Sequence, residues 1–403
     1  MPNSATHSYW LDCKATLGSK EKPSDGGICV IGSGLAGAST AYFLEKAGMG
    51  PVTILDYQAE NAASFRNCGH ILHGTVESMK ALSSLHGKDI AKDIWGLSVE
   101  ICDQVKSTVR DLKLDCDYKQ DGYLVIAIDD AELEELHESV ELLSSNGFEN
   151  NFVSKEKLEK LGFKNVKGGR FEPGSAQAHP VKFRNGLMSE AMKSGSQYHS
   201  NCKVLSVDEQ NGRVKVETEA WGNLFFDAAV IASNAYSPLL SDFYKSHKLV
   251  EPFKGQIITS KPLSSRIPVT YPHSFDHGYE YALRTEDNRL MIGGWRNNTP
   301  GGEIGTYDIT PNPSVEQGLK DFTKHHYNFD ETIDWEYSWS GIMATSKTGF
   351  PFIGPTYSPL IFTVGGFTGH GFSWAHGSAK ILVDIMAGNK FTKLAKHFNP
   401  RLL

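Results

Sequence analysis

The chain predicts an α/β fold of interleaved units, and three sets of residues predict it. ICVIGSGLAGASTAYFLEKAG (28–48) runs an apolar strand into a glycine-rich turn and then a helix. LIFTVGGFTGHGFSWAHGSAKILVDIMAG (360–388) repeats that order near the other end of the chain. Between them, KVLSVDEQNGRVKVET (203–218) and LRTEDNRLMIGG (283–294) read as paired strands about polar turns.

Each element has its local pattern. Residues 1–25 are polar and without a period, which predicts an irregular arm laid on the surface. Ile28 to Ile31 is a short apolar run, hence a buried strand. Leu35, Ala38, Tyr42 and Leu44 then recur at helical spacing. VTILD (52–56) is a second buried strand, and the three elements make a βαβ unit. Residues 75–115 carry Leu82, Ile90, Ile94, Leu97 and Ile101 among charges and read as helical. YLVIAI (123–128) is a strand, and AELEELHESVELLSS (131–145) an acidic helix with a solvated face. The first strand pair turns at Asn211-Gly212, the residues that suit a tight hairpin. AAVIASNAYS (228–237) opens as another apolar strand, and 283–294 turns at Glu286-Asp287-Asn288. No repeat and no low-complexity linker separates these parts, so the units exchange segments and do not follow one another as beads.

The bulk properties narrow the function. A chain of 403 residues suggests two domains at ~100–200 residues each. With 40% hydrophobic and 22% charged residues, its core needs no disulfide or metal staple. A net charge of −7 argues against a nucleic-acid binder. The six cysteines, Cys13, Cys29, Cys68, Cys102, Cys116 and Cys202, include no CxxC pair and read as reduced thiols. The start, MPNSATHSYWLDCK, lacks a charged-then-apolar leader pattern. No apolar run reaches ~18 residues, so no membrane span is expected. Both absences lead to the expectation of a cytoplasmic protein.

Gly32-x-Gly34-x-x-Gly37 sits between strand and helix, and Asp56 ends the next strand 19 residues beyond Gly37. Gly32 permits the tight turn, Gly34 lets the backbone approach a pyrophosphate, and Gly37 lets helix pack on strand. The helix start offers free N–H groups and partial positive charge to phosphates. Asp56 is placed to accept from ribose hydroxyls. A bare GxGxxG would be weak, but here strand, helix, second strand and acid all fit a dinucleotide site.

The segment after Asp56 separates the candidate dinucleotides. Ser64-Phe65-Arg66-Asn67-Cys68-Gly69 comes next, where a nicotinamide dehydrogenase would soon continue with another helix and strand. Here the chain resembles the D-amino-acid-oxidase-like superfamily of FAD-dependent oxidoreductases, in which a Ser-x-Arg-Asn-x-Gly run passes the flavin. GFTGHGFSWAHG (366–377), LDCDYKQDGYLVIA (114–127), HPVKFRNGL (179–187) and SNAYSP (233–238) resemble the γ-glutamylputrescine oxidase and monomeric sarcosine oxidase branches in order and spacing. The resemblance covers nearly the whole chain and is far more specific for the superfamily than for a substrate.

The resemblance implies a Rossmann-type FAD-binding domain assembled from 26–90, 165–235 and 336–403. It also implies an inserted α+β substrate domain of 91–164 and 236–335 on a mixed, largely antiparallel sheet. Gly32, Ser33, Gly34, Leu35 and Ala36 would lie along the pyrophosphate and Asp56 at the ribose. Ser64, Arg66 and Asn67 would lie near the phosphates and the flavin. Val204 would meet adenine through its backbone, and Ala232 would line the groove. Gly369, His370, Gly371 and Phe372 would lie at the pyrimidine edge, where backbone N–H groups stabilise negative charge on reduced flavin.

SFRNCGHILHG (64–74) also has the look of a metal cage. Metal sites usually take four ligands, and no partner cluster with ligand spacing occurs elsewhere, so no metal is expected. His70 touches flavin, faces the substrate or is a satisfied core histidine; the sequence leaves these open. Cys68 reads as packed. Sarcosine oxidases link flavin through a cysteine near the C-terminal motif; SGIMATSKTG (340–349) has none, so FAD is expected to be non-covalent.

The expected reaction is oxidation of a C–N bond in a small amine or amino acid by hydride transfer to flavin N5. Candidates for the pocket wall are His73, Tyr279, Tyr281, Arg284, Trp295, Trp339, His370 and Trp374. Each aromatic also suits core packing, and Arg284 a surface ion pair. Met291 stands where sarcosine oxidases place a lysine that assists oxygen, which leaves oxidase or dehydrogenase open. The alternatives are a 2-hydroxy-acid or amine dehydrogenase with another acceptor, or a flavin-binding protein without turnover. Neither substrate identity nor oligomeric state is legible.

Overall fold

The computed structural model describes residues 7–13, 18–264, 271–389 and 394–402. Its fold is mixed α/β, built on two large sheets. The first has six strands in the order Phe352–Pro355, Ile361–Gly365, Ala228–Ile231, Ile28–Ile31, Val52–Leu55, Gln197–His199. All neighbours are parallel except the edge strand Phe352–Pro355. Parallel strands are buried on both faces, which is why these read as unbroken apolar runs. Val30, Ile54 and Val230 face a core shared with the helices Leu35–Lys46, Pro180–Lys193 and Gly371–Met386. Cys29, Ile31, Leu55, Ala229 and Ile231 face a small three-stranded sheet of 204–226.

The second sheet has eight strands in the order Trp335–Ser346, Val250–Ser260, Leu290–Gly293, Glu280–Arg284, His273–Phe275, Tyr123–Ala127, Gly168–Glu172, Asn151–Ser154. Its neighbours are antiparallel except His273–Phe275 beside Tyr123–Ala127. Leu124, Ile126, Ala282 and Ile292 pack with the helix Pro313–His326 on one face. Tyr123, Val125, Arg170, Glu172, Ser274 and Tyr281 line a cavity on the other.

Several local expectations change. The 75–115 region is two helices, Met79–His86 and Lys88–Leu112, because Gly87 adopts a φ of 86° between them. The second packs on Gly371–Met386 and joins the core of the six-stranded sheet. Residues 168–172 and 336–346, grouped from sequence with the cofactor segments, give strands to the larger sheet. The acidic helix is Asp130–Ser145, and it buries Glu132, Leu136, Ser139 and Leu143, so it is not only a solvated face. The arm corrects the expectation of a surface strap. Trp10 is buried and donates to Asn67 O at 2.6 Å, and the Ser8 hydroxyl donates to Phe65 O at 2.7 Å. Arm residues 1–6 and 14–17 lie outside the described residues. Among the described residues no helix is long and apolar enough to cross a membrane.

Candidate functional site

The first glycine turn is fixed by contacts that exclude side chains. Gly32 has a φ of 102°, and a Cβ there would sit 2.8 Å from Ala232 O. At Gly34 it would meet Ser64 Oγ at 2.7 Å, and at Gly37 it would lie 1.8 Å from Gly32 O. Ser64 Oγ accepts from Leu35 N–H at 2.8 Å, and Ser33 N–H donates to the Asp56 carboxylate. The helix Leu35–Lys46 therefore starts at a turn whose shape is set by Ala232, Ser64 and Asp56.

The second junction is held in the same way. Gly366 N–H donates to Asn234 Oδ1 at 2.8 Å, and Thr368 N–H to Ala344 O at 3.1 Å. Gly369 has a φ of 85°, and nothing lies within 4 Å of the place a Cβ would occupy. No side chain of its own caps the helix beginning at Gly371. His376, fully buried, links Ser39 Oγ at 2.9 Å to Thr108 Oγ1 at 3.0 Å, so the two glycine-started helices are tied together.

Both junctions open on one cavity of about 1300 Å³. Small-molecule sites run to ~300–1,000 Å³, so this volume suits a dinucleotide with a substrate beside it. Of the residues singled out for the cofactor, Gly32, Gly34, Leu35, Ala36, Asp56, Ser64, Arg66, Asn67, His70, Val204, Ala232, Gly369, His370, Gly371 and Phe372 line it. Ser33 does not: it is fully buried under the turn. The open space at Gly369 and the two helix starts, neither capped by its own N-cap side chain, fit an anionic ligand.

The substrate candidates divide. His73, Tyr279, Tyr281 and His370 line the cavity. Arg284, Trp295, Trp339 and Trp374 stand outside its lining. Trp339 donates its indole N–H to Arg66 O at 3.0 Å, and Trp374 to Gly74 O at 2.9 Å, so both brace the backbone from behind. Trp295 covers Gly318, where a Cβ would lie 1.9 Å from its Nε1. Arg284 accepts through its backbone oxygen from Gln177 Nε2 at 3.3 Å. Met291 is fully buried with Ile257, Leu283 and Trp339.

In SFRNCGHILHG the polar groups serve the chain. Arg66 donates to Glu60 O and Ser340 O, each at 2.9 Å, and to Asn61 Oδ1 at 3.1 Å. Cys68 packs with Trp10 and Trp339, and burial pushes its thiol pKa up, so it is no thiolate. Burial, with help from His273, pushes the His70 pKa down to about 3. Burial also lowers those of His73 and His370. These are neutral imidazoles at physiological pH. Among the described residues no group of three or more His, Cys, Asp or Glu could hold a metal ion.

Two features escape a reading of the sequence. Arg184, buried in the helix Pro180–Lys193, donates to Ser33 O at 2.7 Å and Ser33 Oγ at 2.6 Å. It lies over the Phe65 and Tyr198 rings at 5.4 and 5.2 Å. The signal available was an arginine between Phe183 and Leu187 on an otherwise apolar helix face. The second is the buried pair Arg170 and Glu172 in the cavity wall.

A family model described as FAD dependent oxidoreductase (DAO) matches residues 27–385. The probable oxidoreductase OrdL of Haemophilus influenzae is 24% identical over 367 residues, 90% of this chain and 83% of that one. The gamma-glutamylputrescine oxidoreductase of Escherichia coli is 24% identical over 381 residues, 90% of this chain and 84% of its own. The crystal structure of glycine oxidase from Geobacillus kaustophilus superposes with a TM-score of 0.78 at 17% identity, covering 93% of this chain and 98% of its own.

Proposed function

The chain belongs to the FAD dependent oxidoreductase (DAO) family, and from that premise we propose that it oxidises a C–N bond of a small amine or amino acid, with FAD held non-covalently. The observation that carries this reading is one continuous cavity. It joins the two glycine-started helices to the face of the eight-stranded sheet that presents Tyr281 and Tyr123. In this reading the six-stranded sheet and its helices form the FAD unit, and the eight-stranded sheet forms the substrate unit.

Bound FAD supplies the acceptor for the hydride, so the chain is left with binding, orientation and exclusion of water. The start of the helix Leu35–Lys46 takes the pyrophosphate, and Asp56 the ribose. The His370 N–H is taken by Phe367 O at 3.0 Å, so the backbone N–H groups from Gly371 onward would give partial positive charge to the electron-rich edge of a bound flavin. The Tyr281 ring is steered by Gly293, where a Cβ would come within 2.6 Å of it. Burial lowers the pKa values of His70, His73 and His370, so none of the three puts a positive charge beside the substrate, and the amine reacts in its neutral form.

The decisive test is anaerobic mixing of the yellow protein with a panel of amines, N-methyl amino acids, D-amino acids and 2-hydroxy acids. Flavin bleaching by at least one amine is expected. Bleaching by 2-hydroxy acids alone, or by nothing, would end the proposal. With the bleaching amine, kcat/KM for reduction should rise about tenfold per pH unit up to the amine's own pKa. An added inflection near pH 6.5 in stopped-flow data would mean that a histidine titrates in the step.

Oxygen is the proposed acceptor, read out as peroxide in air. A dehydrogenase is the second reading, because Lys203, beside the strand Val204–Gln210 and not on the eight-stranded sheet, is the one lysine lining the cavity among the described residues. Dye reduction without peroxide would select it. Arg184→Met should raise the FAD Kd about ten- to hundredfold, since both oxygens of Ser33 lose their donor. Fluorescence titration of the apoprotein with FAD measures this.

A further inference from the structure

Arg170 and Glu172 stand on one face of the strand Gly168–Glu172, beside Val125 and Tyr123 of the neighbouring strand. Their side chains are 8% and 4% exposed, and Arg170 Nη1 meets Glu172 Oε1 at 2.5 Å. The guanidinium also lies over the Trp95 ring at 5.8 Å, and Trp95 lines the same cavity.

The pair is left half used. Among the described residues no acceptor meets Arg170 Nε or Nη2, and no donor other than Arg170 meets Glu172. A buried pair of this kind adds little stability over apolar side chains of the same size. Arg170 Nε is buried away from the cavity, so the pair presents the Nη2 donor next to the Glu172 acceptor, with no net charge. A lone carboxylate would compete with Glu172 for the guanidinium, and a lone ammonium would compete with Arg170 for the carboxylate. A group carrying an acceptor beside a donor satisfies both partners and separates neither.

We propose that Arg170 and Glu172 form a recognition site for a neutral dipolar group of the substrate, such as a primary carboxamide or the zwitterionic end of an amino acid. This rests on the reading that the cavity admits a small amine. The strand 168–172 stands six positions along the sheet from 335–346, whose residues 341–345 line the cavity elsewhere. The site therefore takes the part of the substrate away from 341–345. The substrate is elongated, with its reacting nitrogen at one end and a dipole at the other.

The test uses the FAD-loaded protein and three isosteric ligands that cannot be oxidised at nitrogen: pentanamide, pentanoate and pentanamidinium. Calorimetry should show pentanamide binding at least about tenfold more tightly than either ion, the scale of one well-made hydrogen bond. Arg170→Met alone strands a buried carboxylate and is expected to unfold. Arg170→Met with Glu172→Leu removes both charges at similar volume and should level the three affinities to within about twofold. Equal or tighter binding of either ion to the parent protein overturns the proposal, as does a pentanamide preference that survives in the double variant. Anaerobic reduction by lysine, 5-aminopentanamide and pentylamine separates the two dipoles: whichever of the first two is faster names the group. If neither outruns pentylamine, the proposal fails. If no amine bleaches the flavin while the calorimetric preference stands, it is the amine reading that fails.

Discussion

Gly37→Ala is expected to yield a colourless polypeptide that takes up no FAD. The added Cβ would lie 1.8 Å from the oxygen and 2.8 Å from the carbonyl carbon of Gly32. Both are backbone atoms of the turn itself, so no side chain can rotate away. Relief requires the helix Leu35–Lys46 to retreat from the strand Ile28–Ile31 by more than about an ångström, which would turn its first N–H groups away from where the pyrophosphate is proposed to bind. Ordinary overpacking costs about 1–3 kcal/mol, and a clash with rigid backbone should exceed that. A loss of at least about a hundredfold in FAD affinity is the expected result, or about 2.7 kcal/mol. Flavin absorbance after incubation with FAD and gel filtration checks it, with circular dichroism to register whether the chain still folds. Yellow Gly37→Ala protein with the parent's affinity would refute the assignment of this turn.

The second large effect concerns Glu280, which is 1% exposed on the strand Glu280–Arg284. Its Oε1 accepts from Trp295 N–H at 3.2 Å, and its Oε2 meets no donor. Burial, then the Asp276 carboxylate, raises its pKa from 4.5 to about 8. A carboxyl raised on folding favours the folded state while it stays protonated. Its contribution is therefore complete below about pH 4.5 and is lost as pH rises through about 8. At about 1.4 kcal/mol per pH unit, the loss by pH 9 is on the order of 3–5 kcal/mol. Glu280→Gln carries no titrating group, so it should match the parent near pH 5 and exceed it in stability at pH 9. Urea unfolding across that range measures the gap, and parallel profiles for the two proteins would sink the prediction.

The parts of the fold legible in sequence are those written in short-range pattern. The apolar runs at 28–31 and 228–231, the Asn211-Gly212 hairpin and both glycine turns appear where their periodicity and turn chemistry put them. Pairing between distant segments was not legible. Nothing in EYSWSGIMATS says that its strand pairs with 250–260, because both sides of that contact are simply extended. Trp10 lay in a stretch without a period, and its burial under Asn67 and His179 is a tertiary event. Trp339 and Trp374 look in sequence like walls of a pocket, yet each uses its N–H to hold a carbonyl behind it. Arg184 and Arg170 matter through partners at Ser33 and Glu172; the local pattern shows Arg184 only as a charge on an otherwise apolar helix face and does not show which groups either arginine meets.

The strand order of the six-stranded sheet bears on how the protein is made. Ile361–Gly365 is the neighbour of Ala228–Ile231, so the middle of that sheet keeps an unpaired apolar edge until a segment some 130 residues later in the chain has been made. A ribosome that stalls before this segment would release a chain with a strand edge ready to associate with others.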